Sequence, residues 1–258
     1  MVLSNGGRLS CPQTTHRSVT SENRARSMVK ITRVYTGGGD EGESSLVDGS
    51  RRSKADLRFD VVGLCDEFNS LLGTVLMEIE RLPNHDDGGQ RTSVRRIQQV
   101  VGEALGRTQH EVFDLGAELA CPPETLPEYM VLINEAQADV LVDEMDALLA
   151  WLEPLNSFIL PTGEPPVAIM HVARTMARRL ERTVVKLREH EGASSVRPVV
   201  LVYINRLSDW LFVLARWVSH VLQSDETKWV PLGKRSAEQG VGQRVRQMRS
   251  NDEDLSSI

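Results

Sequence analysis

The stretch from His171 to Leu187, His-Val-Ala-Arg-Thr-Met-Ala-Arg-Arg-Leu-Glu-Arg-Thr-Val-Val-Lys-Leu, constrains this chain most. Wound at 100° per residue, it carries two faces that need different surroundings. Ala173, Met176, Leu180, Val184 and Leu187 fall on an oily arc, while Arg174, Arg178 and Arg182 recur every fourth residue on another, with Glu181 beside them. The oily arc demands a packed neighbour. The guanidinium ladder either lies in solvent with a few intrahelical ion pairs or faces an anion.

The next apolar run, Val199 to Arg216, is oily nearly all round and so belongs inside a bundle. Asn205, Asp209 and Arg216 nevertheless form a polar stripe along it. Buried polar groups need partners, and the Arg ladder just upstream is the nearest candidate. Two facing stripes make either a site or a structural ion-pair network at a subunit contact.

Upstream, the apolar spacing predicts a helix from about Ala55, with Val61, Leu64, Phe68, Leu72, Val75 and Ile79 inward. A second runs from about Val94 to Leu119, and a third from about Asn134 to Leu152 with Val140, Leu141, Met145, Leu148 and Leu149 inward. With short connections and no convincing strand series, these five helices predict an all-α, antiparallel bundle. Residues 1–28 read as a disordered leader, 29–222 as the bundle domain, and 223–258 as a C-terminal segment, mostly disordered, whose Trp229 to Leu232 can dock back. The segment Pro154 to Pro166 is proline-rich yet holds Phe158, Ile159 and Leu160, either as a plug over the core or as the lip of an apolar ligand site. The glycine-rich stretch Thr36 to Ser45 suits a loop whose amides approach phosphate, although it lacks the Lys-Ser/Thr ending of a P-loop.

Composition narrows the function. A formal charge of −6 in 258 residues argues against a general nucleic-acid binder. No stretch reads as a membrane span or a signal peptide, and Cys11, Cys65 and Cys121 show no metal-ligand spacing. A cytoplasmic protein is expected, or one of an organellar matrix if the Arg- and Ser-rich residues 1–28 are a transit peptide.

Five motifs, in order, resemble one family: Tyr35-Thr-x-x-Gly-Asp-x-Gly42; Gly63-x-x-Asp-Glu-x-Asn-Ser70; Phe158-Ile-Leu-Pro-x-Gly163; Arg174-x-x-x-Arg-Arg-x-Glu-Arg182; and Asn205-Arg-Leu-Ser-Asp-x-Leu-Phe-x-x-Ala-Arg216. The chain is similar over about residues 30–222 to the propanediol-utilisation type of ATP:cob(I)alamin adenosyltransferase. The resemblance implies a five-helix bundle that assembles as a homotrimer with active sites between subunits. Its substrates would be ATP and reduced cobalamin, with Mg²⁺ as cofactor and a cobalamin-dependent mutase and a reductase as further partners.

By position, the resemblance implies that Thr36, Gly39, Asp40, Gly42 and Ser45 belong to an ATP loop, with Lys54 approaching the phosphates. Arg178 and Arg182 would take phosphate oxygens, and Glu181 and Asn205 would help hold the nucleotide and Mg²⁺. Arg174 would pair with Asp66 across a subunit contact, and Phe158 would sit at the lower face of the corrin. The chain departs from the family pattern at Gly37, Gly38 and Ser44, which removes side-chain phosphate contacts expected at the first two.

That chemistry suits the residues present. Reduced cobalt is itself the nucleophile, so the protein needs no Ser, Cys or His base and must supply charge and placement instead. A di-iron bundle is disfavoured by the lack of Glu-x-x-His. A non-catalytic corrinoid carrier or scaffold remains the alternative, and it would need no ATP loop.

Overall fold

The computed structural model describes residue 35 and residues 37–86, 89–90, 92–234 and 240–255, so the expected leader and Thr36 lie outside the described residues. Residues up to Asp40 form one unit and Glu41 to the C-terminus a second. In the first, Gly37 to Asp40 make a turn closed by the Asp40 N–H donating to the Gly37 carbonyl at 3.3 Å, with Gly37 at φ +73°. That left-handed conformation favours glycine, which accounts for the departure from a side-chain-bearing residue at this position.

The second unit is a helical bundle. It begins with a hairpin, β1 (Glu43–Ser45) and β2 (Arg51–Ser53), paired antiparallel with Glu43 opposite Ser53. Five helices follow: α1 (Leu57–Glu80), α2 (Thr92–Leu119), α3 (Glu135–Leu149), α4 (Pro165–Glu191) and α5 (Pro198–Val221). A second small hairpin, β3 (His85–Asp86) and β4 (Gly89–Gln90), sits in the α1–α2 connection. α4 packs between α1 and α5, α2 lies on α1, and α3 lies on α5.

Local sequence sets the helix ends. Asp56 caps α1 by accepting from the Arg58 N–H, and Asn134 opens α3 in a reciprocal capping box with Gln137. Pro165 and Pro166 start α4, where a missing N–H costs nothing, and Gly192 at φ +102° ends it. One continuous core of Val, Leu, Ile, Phe68, Tyr203 and Trp210 runs through all five helices.

Four expectations need correction. Val140 and Leu149, expected inward, are 41% and 43% exposed, because α3 rests on α5 with one side only; Leu141 and Leu148 carry its packing. Two hairpins exist where no strands were expected, each strand being too short to show alternation. α5 is in fact long and apolar enough to cross a membrane, but it is the bundle's central helix and mostly buried there. The C-terminal segment, expected to be mostly disordered, contains a sixth helix, α6 (Gly242–Leu255), whose described side chains are exposed.

Candidate active site

α4 divides as its sequence requires. Ala173, Ala177, Leu180, Val184 and Leu187 are fully buried, while Arg178 and Arg182 are exposed and Arg174 half-buried. Ala177 takes the inward place expected of Met176, which is only partly covered. None of the three ladder arginines has a carboxylate partner among the described residues. Arg182 donates to the Arg178 carbonyl at 2.9 Å, and the buried Nε of Arg174 has no partner among the described residues. Burial first, then the neighbouring charge of Arg178, lowers the Arg174 guanidinium from its usual value. A charge kept under those conditions calls for an anion from outside the chain segment that carries it.

α5 meets the ladder at one point. Asn205 Nδ2 donates to Glu181 Oε1 at 3.0 Å, and Arg206 in turn donates to Asn205 Oδ1 at 3.2 Å. The rest of the expected stripe goes elsewhere. Asp209 is exposed, and Arg216 bonds Glu226 at 2.8 Å and the Glu153 carbonyl at 3.0 Å, three turns away from Asn205. Arg216 therefore ties the chain leaving α5 to the end of α3 and does not face the ladder.

Beside the ladder, α1 and α4 enclose a polar groove of about 480 Å³ lined by Asp60, Gly63, Glu67, Arg179, Arg182 and Lys186, among others. Glu67 approaches Arg179 at 3.9 Å, a loose pair in solvent. Asp66 is exposed and makes no pair with Arg174 within the chain. Arg179 and Lys186 were not singled out from the sequence, although Arg179 stands next to Arg178 and faces α1.

The hairpin sits where α1 starts. Gly42, at φ +83°, accepts from the Lys54 N–H at 2.8 Å, Ser45 is exposed on β1, and Lys54 follows β2. Asp48 accepts from the Ser50 N–H and hydroxyl in the hairpin turn, the contacts that lower its carboxyl. Gly42, Ser45 and Lys54 are thus brought together, whereas Gly39 and Asp40 belong to the preceding unit.

The hairpin is anchored by a cluster that sequence reasoning missed. Arg58 is fully buried and donates to both carboxylate oxygens of Glu191, to the Leu119 carbonyl at 3.1 Å and to the Ser195 carbonyl at 3.2 Å. Arg52 of β2 reaches the same Glu191 at 3.1 Å and Asp56 at 3.3 Å. One available signal was Glu191 itself, since an acid in the last turn of a helix opposes the helix dipole unless a cation holds it.

Phe158 lies at the other end of α4. Its ring is 78% exposed and meets Trp229 edge to face, with centroids 6.1 Å apart. The Trp229 N–H donates to the Phe158 carbonyl at 2.7 Å, and the Leu160 N–H to the Thr227 carbonyl at 2.8 Å. Phe158 itself is therefore no plug over the core, whereas Ile159 and Leu160 line a small space with Val167, His171 and Ala215 at the bundle's end. The loop is a pinned ledge that presents an aromatic ring outward. The 26 residue steps of α4 separate this ledge from the hairpin by about 40 Å.

A helical bundle whose row of guanidinium groups has no carboxylate partner among its described residues is suited to receiving an anion. Comparison with known proteins makes this specific. The family model for cobalamin adenosyltransferase matches residues 34–218, and the chain belongs to that family. It is 38% identical to the corrinoid adenosyltransferase of Mycobacterium leprae over 210 residues, 80% of this chain and 99% of the relative. It is 37% identical to that of Bacillus subtilis over 187 residues, 72% and 86% of the two chains. Among solved structures, a variant PduO-type ATP:corrinoid adenosyltransferase from Lactobacillus reuteri, complexed with cobalamin and ATP, superposes with a TM-score of 0.66 at 26% identity, covering 77% of this chain and all of the other.

Proposed function

We propose that this chain transfers the 5′-deoxyadenosyl group of ATP to the cobalt of cob(I)alamin, forming adenosylcobalamin and releasing triphosphate. The cobalt electron pair attacks C5′, the C5′–O bond breaks, and triphosphate leaves with that bond's electrons. The observation that carries this reading is the guanidinium row on α4, which lacks carboxylate partners among the described residues and stands beside the Glu181–Asn205 pair.

Charge gathers on the triphosphate as the bond breaks, so groups aimed there lower the barrier more than groups that merely hold the substrate. Arg178 and Arg182 take the phosphate oxygens in this reading, and Lys54 approaches them from the hairpin. Thr36, Gly39, Asp40, Gly42 and Ser45 supply the loop around the nucleotide. Mg²⁺ prefers few protein ligands and keeps phosphate and water oxygens. A single carboxylate, Glu181, oriented by Asn205, fits that preference. The bound ion would supply charge neutralisation on the phosphates.

The 40 Å between hairpin and ledge supports a site assembled from two chains, since one chain cannot bring Lys54 and Phe158 to the same substrate pair. We assign the assembly as a homotrimer, with Asp66 of one subunit meeting the orphaned Arg174 of the next. Phe158 then covers the lower face of the corrin. A location in the cytoplasm, a bundle domain over residues 29–222, and a reductase and a cobalamin-dependent mutase as partners complete the reading.

The test is an anaerobic reaction of the protein with chemically reduced cobalamin, ATP and Mg²⁺, following the corrin spectrum and released triphosphate together. Equimolar adenosylcobalamin and triphosphate are expected. Corrinoid binding without triphosphate release would establish a carrier instead.

A further inference from the structure

His171 heads the arginine row. At 100° per residue His171, Arg174, Arg178 and Arg182 fall within about 80° of one another on α4, so the imidazole is the first member of the stripe that the guanidiniums continue. Unlike them it is turned in. The side chain is 4% exposed, and Nδ1 is buried with no hydrogen-bond partner among the described residues. A buried polar nitrogen left that way costs free energy, so what surrounds the ring decides its role.

The ring lies under the Phe158 ledge. Thr162 of the ledge, Arg216 and Ser219 of α5, and Glu226 of the segment that follows line a chamber of about 10 Å³ together with His171. Gly163, at φ +132°, lets the loop close this tightly, since a Cβ there would stand 3.0 Å from Val167 Cγ1. The volume suits a single water, and a buried water needs about two to four polar partners. His171 Nδ1, the Thr162 and Ser219 hydroxyls and the Glu226 carboxylate are the groups that can supply them.

The far wall of the chamber is also what holds the ledge. Glu226 bonds Arg216 at 2.8 Å, and the residues just after it pin the loop, Thr227 by accepting from the Leu160 N–H and Trp229 by donating to the Phe158 carbonyl. A water shared between Nδ1 and this wall ties α4 to the ledge where the arginine row begins. Along the helix, seven residue steps, about 10 Å, separate His171 from Arg178.

We propose that His171 is a positioning residue whose Nδ1, through one water held in this chamber, seats the Phe158 ledge at a fixed height over the arginine row. The role rests on the reaction proposed above, in which the ledge meets the corrin and the row takes the triphosphate. The ring acts in its neutral form, with its proton on Nε2 and Nδ1 accepting from the water. The charged groups around it are Arg174 on its own helix, Arg216 on α5 and Glu226 on the segment after α5; Phe212, whose ring lies 6.1 Å away, and the ledge bring none. A proton on Nδ1 removes the acceptor, is repelled by Arg174 and competes with Arg216 for Glu226, so the seat loosens as His171 becomes charged.

The test is titration of the ATP-saturated full chain with cob(II)alamin, reading affinity and the four-coordinate fraction. Asparagine carries its polar atoms near the place of Nδ1 and glutamine near that of Nε2, so the two amides separate the bond to the water from the packing of the ring. His171→Gln and His171→Leu should weaken cob(II)alamin binding about 3–10-fold, the size of one net hydrogen bond, and lower the four-coordinate fraction with ATP affinity unchanged. His171→Asn should keep both near the wild-type level. Wild-type affinity should fall as pH drops from about 7.5 to about 5.5, and the profile of His171→Asn should be flat. A crystal structure should show one ordered water within hydrogen-bond distance of Nδ1. Asparagine as damaging as glutamine, a pH profile that survives in His171→Asn, or an Nδ1 without that water each overturns the proposal. Variants that all bind like the wild type sink the role of His171 alone, whereas a wild type that binds no cob(II)alamin sinks the reaction assigned above and this role with it.

Discussion

Replacing Glu191 by glutamine tests the cluster that joins the hairpin to the bundle. Glu191 is the only carboxylate among the described residues that pairs with Arg58, whose side chain is completely buried and whose other bonds go to the neutral carbonyls of Leu119 and Ser195. The amide keeps the shape but removes the countercharge, leaving a guanidinium without compensation in a low-dielectric interior. Breaking one side of a buried pair costs about 3–5 kcal/mol. For a chain of this size each kcal/mol moves the melting temperature by about 2–4 °C, so Glu191→Gln should melt about 6–20 °C lower. The measurement is calorimetry at fixed protein concentration, because any assembly makes the midpoint depend on it. Arg58→Met/Glu191→Met should recover most of the loss, since an apolar replacement of both partners leaves no stranded charge. Arg52 also loses its bond to Glu191, so the KM for ATP should rise in Glu191→Gln while corrinoid affinity holds. A shift below 3 °C would refute the reasoning, because it would mean that Arg58 reaches water or another anion.

Arg178→Ala should lower turnover by about 10²–10³, as expected for removing one preorganised charge-stabilising donor, with little effect on corrinoid binding; single-turnover kinetics check this. Asp66→Ala should dissociate the proposed trimer, and Asp66→Ala/Arg174→Ala should be less impaired than Asp66→Ala alone; sedimentation that finds an active monomer argues against the pairing. Phe158→Ala should keep ATP affinity yet fail to give the spectrum of four-coordinate cob(II)alamin, and Trp229→Ala, which removes the ring braced against it, should show a milder form of the same defect. Burial first, and then the charge of Arg174, lowers His171 from 6.5, against a smaller opposing pull from Glu226. Below pH 6.5 the unfolded chain therefore binds a proton that the folded one resists, and stability falls as pH drops from about 6.5 toward the lowered folded value. His171→Gln should flatten the melting-temperature profile in that window, and an unchanged slope would remove His171 as its cause.

The bundle was legible because α1, α2, α4 and α5 each bury a wide face, so apolar spacing repeats over six or more turns. The ladder was legible for the same reason, since guanidiniums four apart share a face whatever surrounds them. What failed were the contacts that spacing cannot encode. Arg58 and Glu191 are 133 residues apart, and only the closure of α1 against the end of α4 joins them. Asn205 and Arg216 align on one stripe of α5, yet they lie about 16 Å apart along the axis and meet different neighbours. On α3 the pattern of Val140, Leu141, Leu148 and Leu149 describes a helix covered on two sides, but α5 covers one.

Three features that look like defects in one chain have one explanation. Arg174 holds a buried Nε without an acceptor among the described residues, Phe158 leaves a large ring 78% exposed on a loop pinned by two backbone bonds, and the hairpin lies about 40 Å from that loop. A stable monomer would gain by neutralising the first and covering the second. Neither can be reached by rearranging the chain, because α4 fixes the separation and its buried face fixes its rotation about α1 and α5. In the proposed trimer, a second copy that brings its hairpin and Asp66 to the ladder would remove all three at once. It would pair Arg174, put Lys54 within reach of phosphates held by Arg178, and leave Phe158 facing a flat substrate rather than water. The proposed reaction accounts for the lack of a carboxylate on the ladder among the described residues: a partner there would compete with triphosphate for the charge that the reaction would use.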